Sequence, residues 1–199
     1  MADSGGKGCV DESDAVYDSV CASTGNAVKT GPGANRFSVV LRFQPFTADH
    51  AEAYARIRAR HSVARYLKGG VCNAEEALTI ATQQSRWSTR AWVEHGHGLW
   101  AIFWLNNEMV GVVGGLPSEH QSTVTVFYAI DPCFWNRGIA TRGLQHAVDH
   151  LVSNSNRHLL CARVHADNTG SLKVLSRCGF QPQSAKDCSY PEMQWFRQC

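Results

Sequence analysis

The chain of 199 residues is 44% hydrophobic and 18% charged, with a formal net charge of +2, which is the composition of an ordinary soluble domain with a sizeable core. It contains no run of eighteen apolar residues, so a membrane-spanning helix is excluded. The N-terminal residues do not place a basic stretch before an apolar one, so no secretory signal is indicated, and we expect a cytoplasmic protein with no membrane partner.

Charge is unevenly distributed along the chain. Residues 1–35 hold five acids and two lysines, a net charge of −3, and are rich in Gly and Ser, so we expect a disordered tail. The remaining residues, 36–199, hold 17 basic and 12 acidic residues, a net charge of +5. No second linker or repeat interrupts them, and we expect one folded domain. Its positive charge is too small and too dispersed for a nucleic-acid surface but suits an anionic small molecule.

The first half of this domain is predicted to hold one strand and two helices. The strand covers 37–46, and a helix over 48–67 follows a threonine N-cap. Asn73 and Glu76 form an N-x-x-E helix start, so a second helix is predicted over 74–87.

Three strands are predicted next. Segments 98–105 and 108–116 flank Asn106 and Asn107, a pair that tolerates the positive φ of a hairpin turn. The third strand covers 123–130, which is rich in β-branched and aromatic residues.

Two helices and two strands complete the domain. An apolar stripe at helical spacing predicts a helix over 138–152, and a strand is predicted over 158–165. The segment 168–180 indicates a short helix that ends at Gly179 in a left-handed cap, and 190–199 indicates a last strand. This order is typical of a mixed α/β sheet and differs from a regular βαβ repeat.

The segment 135–143, WNRGIATRG, begins a helix without the acids that a helix start favours. The positive end of the helix dipole attracts Asp or Glu, yet no carboxylate occurs from Asn136 through Val148. The free backbone N–H groups of a helix start bind phosphate well, and Gly138 lets a ligand approach closely. Two interpretations stay open: an external anion binds here, or an ordinary helix happens to lack acids. A P-loop is excluded because its Lys and Ser/Thr are missing.

The longer segment YAIDPCFWNRGIATRGL resembles the acetyl-CoA signature of the GCN5-related N-acetyltransferases (GNAT). Ile130, Pro132, Gly138 and Ala140 fall on that signature. Downstream, NTGSLKVLSRCGF resembles the N-x-x-S…GF segment of the RimJ/RimL-like branch of this family. The resemblance covers 36–199, which would then be the N-acetyltransferase domain.

The resemblance implies an α/β fold: a bent mixed β-sheet with helices on both faces and splayed central strands that hold the cofactor. Acetyl-CoA would be the cosubstrate, with its pyrophosphate on backbone N–H groups of 137–141 and its pantetheine arm beside the Ile130 backbone. The implied cofactor-binding residues are Ile130, Asn136, Arg137, Gly138, Ile139, Ala140, Thr141 and Asn168. No metal is implied, and His95 and His97 lack a readable third ligand.

The sequence departs from the family pattern at four positions. Trp135 replaces the usual Arg or Gln, and Asn136 replaces a Gly, although Asn tolerates left-handed backbone better than most residues. Leu175 stands where other branches place a Tyr acid, and Thr125 stands where many relatives place a Glu.

The resemblance implies catalytic roles for Asn168 and Ser171, with Asn168 on the cofactor arm and Ser171 near the sulfur. A serine hydroxyl that donates to a departing thiolate is reasonable chemistry, although both residues are also ordinary at a helix start. The general base stays unassigned. Thr125 stands at the position of the usual Glu, and the alternatives are His120, His165, Asp167 and Glu94.

The sequence therefore predicts an acetyl-CoA-dependent N-acetyltransferase that acts on a primary amine by direct attack in a ternary complex. The acceptor would be a protein N-terminus or a small-molecule amine, and the protein would be a monomer or homodimer. The alternative is a non-catalytic coenzyme A-binding sensor or scaffold module, which the residues at 125 and 175 keep open.

Overall fold

The computed structural model describes residues 40–104, 106–118, 123–154, 159–182 and 192–198, which fall in one compact unit, Val39–Cys199. The predicted tail, 1–35, lies outside the described residues. The strands are β1 (Arg42–Pro45), β2 (Leu99–Phe103), β3 (Met109–Pro117), β4 (Thr123–Ile130), β5 (Leu159–His165), β6 (Gln181–Pro182) and β7 (Glu192–Gln198). The α-helices are α1 (Ala51–Ala59), α2 (His61–Ala64), α3 (Ala74–His95), α4 (Ile139–Asn154) and α5 (Thr169–Arg177), and Ala48–His50 and Pro132–Phe134 form 3₁₀ turns.

The seven strands form one mixed sheet in the order β1-β2-β3-β4-β5-β7-β6. The pairs are antiparallel except for β4 and β5, which run parallel. That parallel pair covers Thr123–Thr125 against Leu159–Cys161 only, and beyond it the two strands no longer pair. The central strands are therefore splayed, as predicted, and the sheet is open along a gap.

Helices cover both faces of the sheet, as predicted. Along β2, Trp100 and Ile102 pack in one buried cluster with α4 and α5, while Leu99 and Ala101 pack in the other with α1 and α3. This follows from the alternation of side chains along a strand. Gly143 brings α4 against the sheet, since a Cβ there would lie 3.1 Å from Ile102 Cδ1.

The single helix predicted over 48–67 is wrong. Residues 48–50 form a 3₁₀ turn, and Arg60 separates α1 from α2 with an extended backbone (φ −61°, ψ 124°). The Arg60 side chain is nearly buried, and its Nη2 lies 3.8 Å from Asp131 Oδ1, just after β4. Periodicity along 48–67 contains no information about a partner 71 positions further on, so the interruption could not be read from it.

The second helix, α3, begins as predicted and runs eight residues further, to His95. Asn73 and Glu76 form the predicted capping box. The additional turns dock on β2: Leu99 N donates to Ser88 Oγ over 2.9 Å, and Trp92 Nε1 donates to Leu99 O over 3.0 Å. This tertiary contact stabilises residues that have no strong helical pattern of their own.

The predicted turn residues adopt the expected backbone at two positions. Asn107 has φ 63° and Gly179 has φ 81°. The strand β6 was not predicted, and it pairs with β7 over two residues.

Candidate active site

The gap between β4 and β5 leaves backbone hydrogen-bonding groups of β4 without a strand partner. Asp131 N donates to Val110 O over 2.9 Å, which fixes the register of the antiparallel ladder between β3 and β4. Because neighbouring residues of a strand direct their N–H and C=O groups to opposite sides, those of Val126, Tyr128 and Ile130 point away from β3. They face the side of β5, where pairing has ended. The Ile130 carbonyl already accepts from Trp135 Nε1, and an extended ligand can bond to the remaining groups of this edge as a further strand would.

The start of α4 lies next to this gap and presents free N–H groups. Asn136 (φ 60°) and Gly138 (φ 76°) are both left-handed, and the first helical bond runs from Arg142 N to Gly138 O over 3.0 Å. Among the described residues, no acceptor bonds the backbone N–H groups of 137–141. The first turn contains no acid, so its positive partial charge is available to an anion.

Gly138 combines this backbone conformation with open space. It is exposed, and no atom lies within 4 Å of the place that a Cβ would occupy. A phosphate-sized group can therefore reach the backbone at this position. Ile139 is buried in the core, so its contribution to a ligand would be its backbone N–H. Ala140 and Thr141 are partly exposed.

Aromatic side chains surround the segment before α4. The Arg137 guanidinium lies 5.3 Å from the Phe134 ring and 5.7 Å from the Trp104 ring, within cation–π range. Trp135 Nε1 donates to Ile130 O over 2.8 Å. This bond gives the unusual Trp135 a defined role, which the sequence pattern did not reveal.

Asp131 is the acid nearest in sequence to the α4 start, and it is engaged elsewhere. Its Oδ1 accepts from Cys133 N over 2.9 Å and caps the 3₁₀ turn that follows β4. The same oxygen lies 3.8 Å from Arg60 Nη2. The Asp131 carboxylate therefore does not cap the N-terminus of α4.

The start of α5 holds the two predicted catalytic residues. Asn168 Oδ1 accepts from Ser171 N over 3.1 Å, which confirms the predicted helix cap. Ser171 O accepts from Tyr128 Oη over 3.2 Å, and the Ser171 side chain also lies close enough to interact with the Tyr128 hydroxyl. Leu175 is buried in the core and offers no proton.

Two contacts join α5 to the cofactor-side residues. At the start of α5, Ser171 O accepts from the hydroxyl of Tyr128, which lies on the unpaired edge of β4. Burial raises the pKa of this hydroxyl. Near the other end of α5, Cys178 Sγ donates to Thr141 O over 3.5 Å. The fold thus brings 128–141 and 168–171 together. The sequence pattern did not single out Tyr128.

The candidates for the general base fall into separate places. His165 and Asp167 lie beside Asn168, at the end of β5, whereas Glu94 lies near the end of α3 with Arg90 and His95. His165 Nδ1 accepts from Asp167 N over 3.2 Å and lies 3.7 Å from Asp167 Oδ2. Thr125 Oγ1 lies 3.2 Å from Cys161 Sγ where the strands separate. His120 lies outside the described residues.

His95 and His97, which belong to the segment HGHG over 95–98, differ in their burial. His97 is buried, with Nδ1 3.3 Å from Gly115 O, and its ring stacks on that of His95. Within the described ranges, no group of three or more His, Cys, Asp or Glu side chains is placed to hold a metal ion. None of the described helices is both long and apolar enough to cross a membrane.

Comparison with known proteins identifies this architecture. The acetyltransferase (GNAT) domain model matches residues 40–181. No curated protein is matched by sequence at a significant level.

Solved structures with the same fold include ribosomal protein acetyltransferases. The Salmonella typhimurium enzyme that modifies the N-terminal serine of ribosomal protein L7/L12 is 18% identical, with a TM-score of 0.66, and the match covers 81% of this chain and 96% of that one. The ribosomal-protein-S5-alanine acetyltransferase of Vibrio fischeri is 17% identical, with a TM-score of 0.65 and coverage of 79% and 92%.

A third neighbour is RimJ of Mycobacterium smegmatis in complex with CoA-disulfide, at 22% identity, with a TM-score of 0.63 and coverage of 80% and 82%. These neighbours agree with the RimJ/RimL-like branch that the sequence resembles. The matched domain, the open mixed sheet and the splayed central strands together show that the chain belongs to the GNAT family of acetyltransferases.

Proposed function

We propose that this protein transfers the acetyl group of acetyl-CoA to a primary amine, by direct attack of the amine with both substrates bound. The observation that carries the proposal is the set of unbonded backbone N–H groups over 137–141. They lie beside the edge of β4 that has no strand partner. A diphosphate would satisfy these groups and take the place of the missing first-turn acid. The open space at Gly138 fits such a group.

Three elements of this chain would contact different parts of the cofactor. The start of α4 would bind the diphosphate through the backbone from Asn136 to Thr141, with the Arg137 guanidinium close by. The pantetheine arm would bond to the unpaired edge of β4 near Ile130, whose carbonyl already accepts from Trp135 Nε1. Asn168 would contact the same arm from α5.

Acetyl-CoA supplies an activated thioester, and the protein must help its thiolate to leave. Ser171 is the candidate for this step, because it carries a hydroxyl donor at the start of α5, next to the gap. The amine must lose a proton during attack, and we leave the base unassigned.

The acceptor class is a protein N-terminus or a small-molecule amine. The Salmonella neighbour is described as modifying the N-terminal serine of ribosomal protein L7/L12, and the Vibrio neighbour as a ribosomal-protein-S5-alanine acetyltransferase, which favours a protein acceptor. A further neighbour, the Microcin C7 self-immunity acetyltransferase MccE, is described in complex with acetyl-CoA and AMP, which keeps small molecules in the test. We still expect the protein to be cytoplasmic and to be a monomer or a homodimer.

The competing candidate is a coenzyme A-binding module without catalysis. It is favoured by Leu175, which is buried in the core where other branches carry a tyrosine acid. Equilibrium binding of coenzyme A, measured by calorimetry, together with thiol release from acetyl-CoA, separates the two functions. Suitable amines are peptides that begin with serine or alanine, a polyamine, an amino acid and an aminoglycoside.

We expect coenzyme A to bind and at least one amine to accelerate thiol release, with the acetylated product confirmed by mass spectrometry. Binding without turnover on every amine would support the non-catalytic module. Absence of binding would overturn the cofactor assignment itself.

A further inference from the structure

One hydrogen bond crosses the gap between the splayed strands. Tyr128 lies three residues beyond Thr125, the last residue of β4 that pairs with β5. Its Oη donates over 3.2 Å to Ser171 O, in the helix that follows β5. The bond therefore joins the extensions of both strands where the sheet itself provides no ladder.

This contact fixes both sides of the Ser171 peptide backbone. Asn168 Oδ1 accepts from the Ser171 N–H over 3.1 Å, and the carbonyl is bonded by Tyr128. Because the Ser171 backbone is bonded at both its N–H and its C=O, the position of Ser171 Oγ depends only on the χ1 rotamer of the side chain. The Ser171 hydroxyl is thus held in a defined position next to the gap, beside the Tyr128 hydroxyl.

The geometry favours an indirect role for Tyr128. Its hydroxyl proton is already directed at a carbonyl oxygen, so it is not free to protonate a leaving sulfur. Burial raises the pKa of Tyr128, so the hydroxyl remains a donor across the neutral range. Nothing in this arrangement calls for Tyr128 to exchange a proton during turnover.

We propose that Tyr128 is a positioning residue for acetyl transfer, which holds the first turn of α5 across the gap and so places Ser171 for the departing thiolate. The inference rests on the proposed function, because it assigns Tyr128 a purpose only if Ser171 acts. Placement errors of about 1 Å can lower a rate by about 100-fold. A single hydrogen bond at this point can therefore affect turnover more than binding.

The test compares Tyr128→Phe, Ser171→Ala and the double variant, with the amine that the wild type acetylates fastest. Tyr128→Phe removes the hydroxyl and keeps the ring. We expect kcat to fall about 10-fold or more, as for a loss of catalytic placement, with the KM for acetyl-CoA little changed. In the Ser171→Ala background, Tyr128→Phe should have almost no further effect, because its target is absent.

Tyr54→Phe is the matched control. Tyr54 is buried in the cluster that packs with α1 and α3, and burial raises its pKa as it does that of Tyr128. Its hydroxyl makes no hydrogen bond to α5, so the variant should keep wild-type kcat. If the wild type is active and Tyr128→Phe is equally active, the positioning role is wrong and the proposed function stands. If Tyr128→Phe slows Ser171→Ala as much as the wild type, its effect does not pass through Ser171, and the inference also fails. A wild type without turnover on any amine overturns both.

Discussion

The indole Nε1 of Trp135 lies 2.8 Å from the carbonyl oxygen of Ile130. The bond closes the short segment that leads from the free edge of β4 to the start of α4, and it spans the 3₁₀ turn Pro132–Phe134. Trp135 is nevertheless 42% exposed, so its ring lies at the surface and not in the core. The two surfaces proposed to bind coenzyme A are therefore linked by one side chain.

Trp135→Phe should destabilise the protein modestly. The variant keeps an aromatic ring and loses the donor to Ile130 O, and a hydrogen bond of this kind contributes about 1 kcal/mol. Urea unfolding measures the change. Trp87→Phe is the control, since Trp87 has similar exposure and lies on the outer face of α3. An equal loss in both variants would show that ring size, not the hydrogen bond, is responsible.

Gly138→Glu should weaken coenzyme A binding by about 100-fold, because like charges about 4 Å apart near a protein surface repel by about 4 kcal/mol before salt screening. Gly70→Glu matches it: Gly70 also has a positive φ (66°) and nothing within 4 Å of its Cβ position. Both variants therefore carry the same backbone strain. Calorimetric affinities that fall equally in both would remove the phosphate from the start of α4.

Ser171→Ala should lower kcat by about 100-fold, within the range for loss of a positioned proton donor, and leave the KM for acetyl-CoA nearly unchanged. The Asn168 cap uses the Ser171 N–H, which alanine retains, so the helix start should survive. Steady-state kinetics with circular dichroism as a folding check makes the measurement. Unchanged kcat would exclude Ser171 from the reaction.

Ser88→Ala should reduce the free energy of unfolding by about 1–3 kcal/mol, because it leaves the Leu99 N–H buried without an acceptor. Ser85→Ala is the control on the same helix. Ser85 is equally buried, but its hydroxyl donates to Thr82 O of its own helix, so no buried donor is orphaned. We expect a clearly smaller loss, and equal losses in chemical denaturation would contradict the docking role of Ser88.

Acidification should destabilise the fold through His146. This ring stacks on Phe43 with centroids 4.1 Å apart, and burial lowers its pKa, with His150 adding to the effect and Asp149 opposing it. The unfolded chain then binds the proton more tightly than the folded one. Stability is therefore complete above the ordinary value of 6.5 and falls as the pH drops below it.

The urea midpoint measured at several pH values tests this dependence. His146→Gln should flatten the decrease below pH 6.5 without abolishing it, because burial also lowers the pKa of His50. A pH profile that is identical in the variant and the wild type would show that His146 does not carry the effect.

Much of the candidate cofactor site could be predicted from a few adjacent residues. The left-handed backbone of Asn136 and Gly138 depends on what each residue type tolerates, and the Asn168 cap joins positions three apart. The base could not be predicted, because a residue that acts through space has no fixed spacing in the chain.

The sequence by itself determined the local conformations: the caps, the left-handed turns and the strands whose side chains alternate. Only the tertiary structure decided the interruption at Arg60, the length of α3 and the bond from Tyr128 to Ser171. The physical reason is range. Backbone preferences and capping act between neighbours, whereas a hydrogen bond across 43 positions exists only after sheet and helices have packed and brought its two ends together.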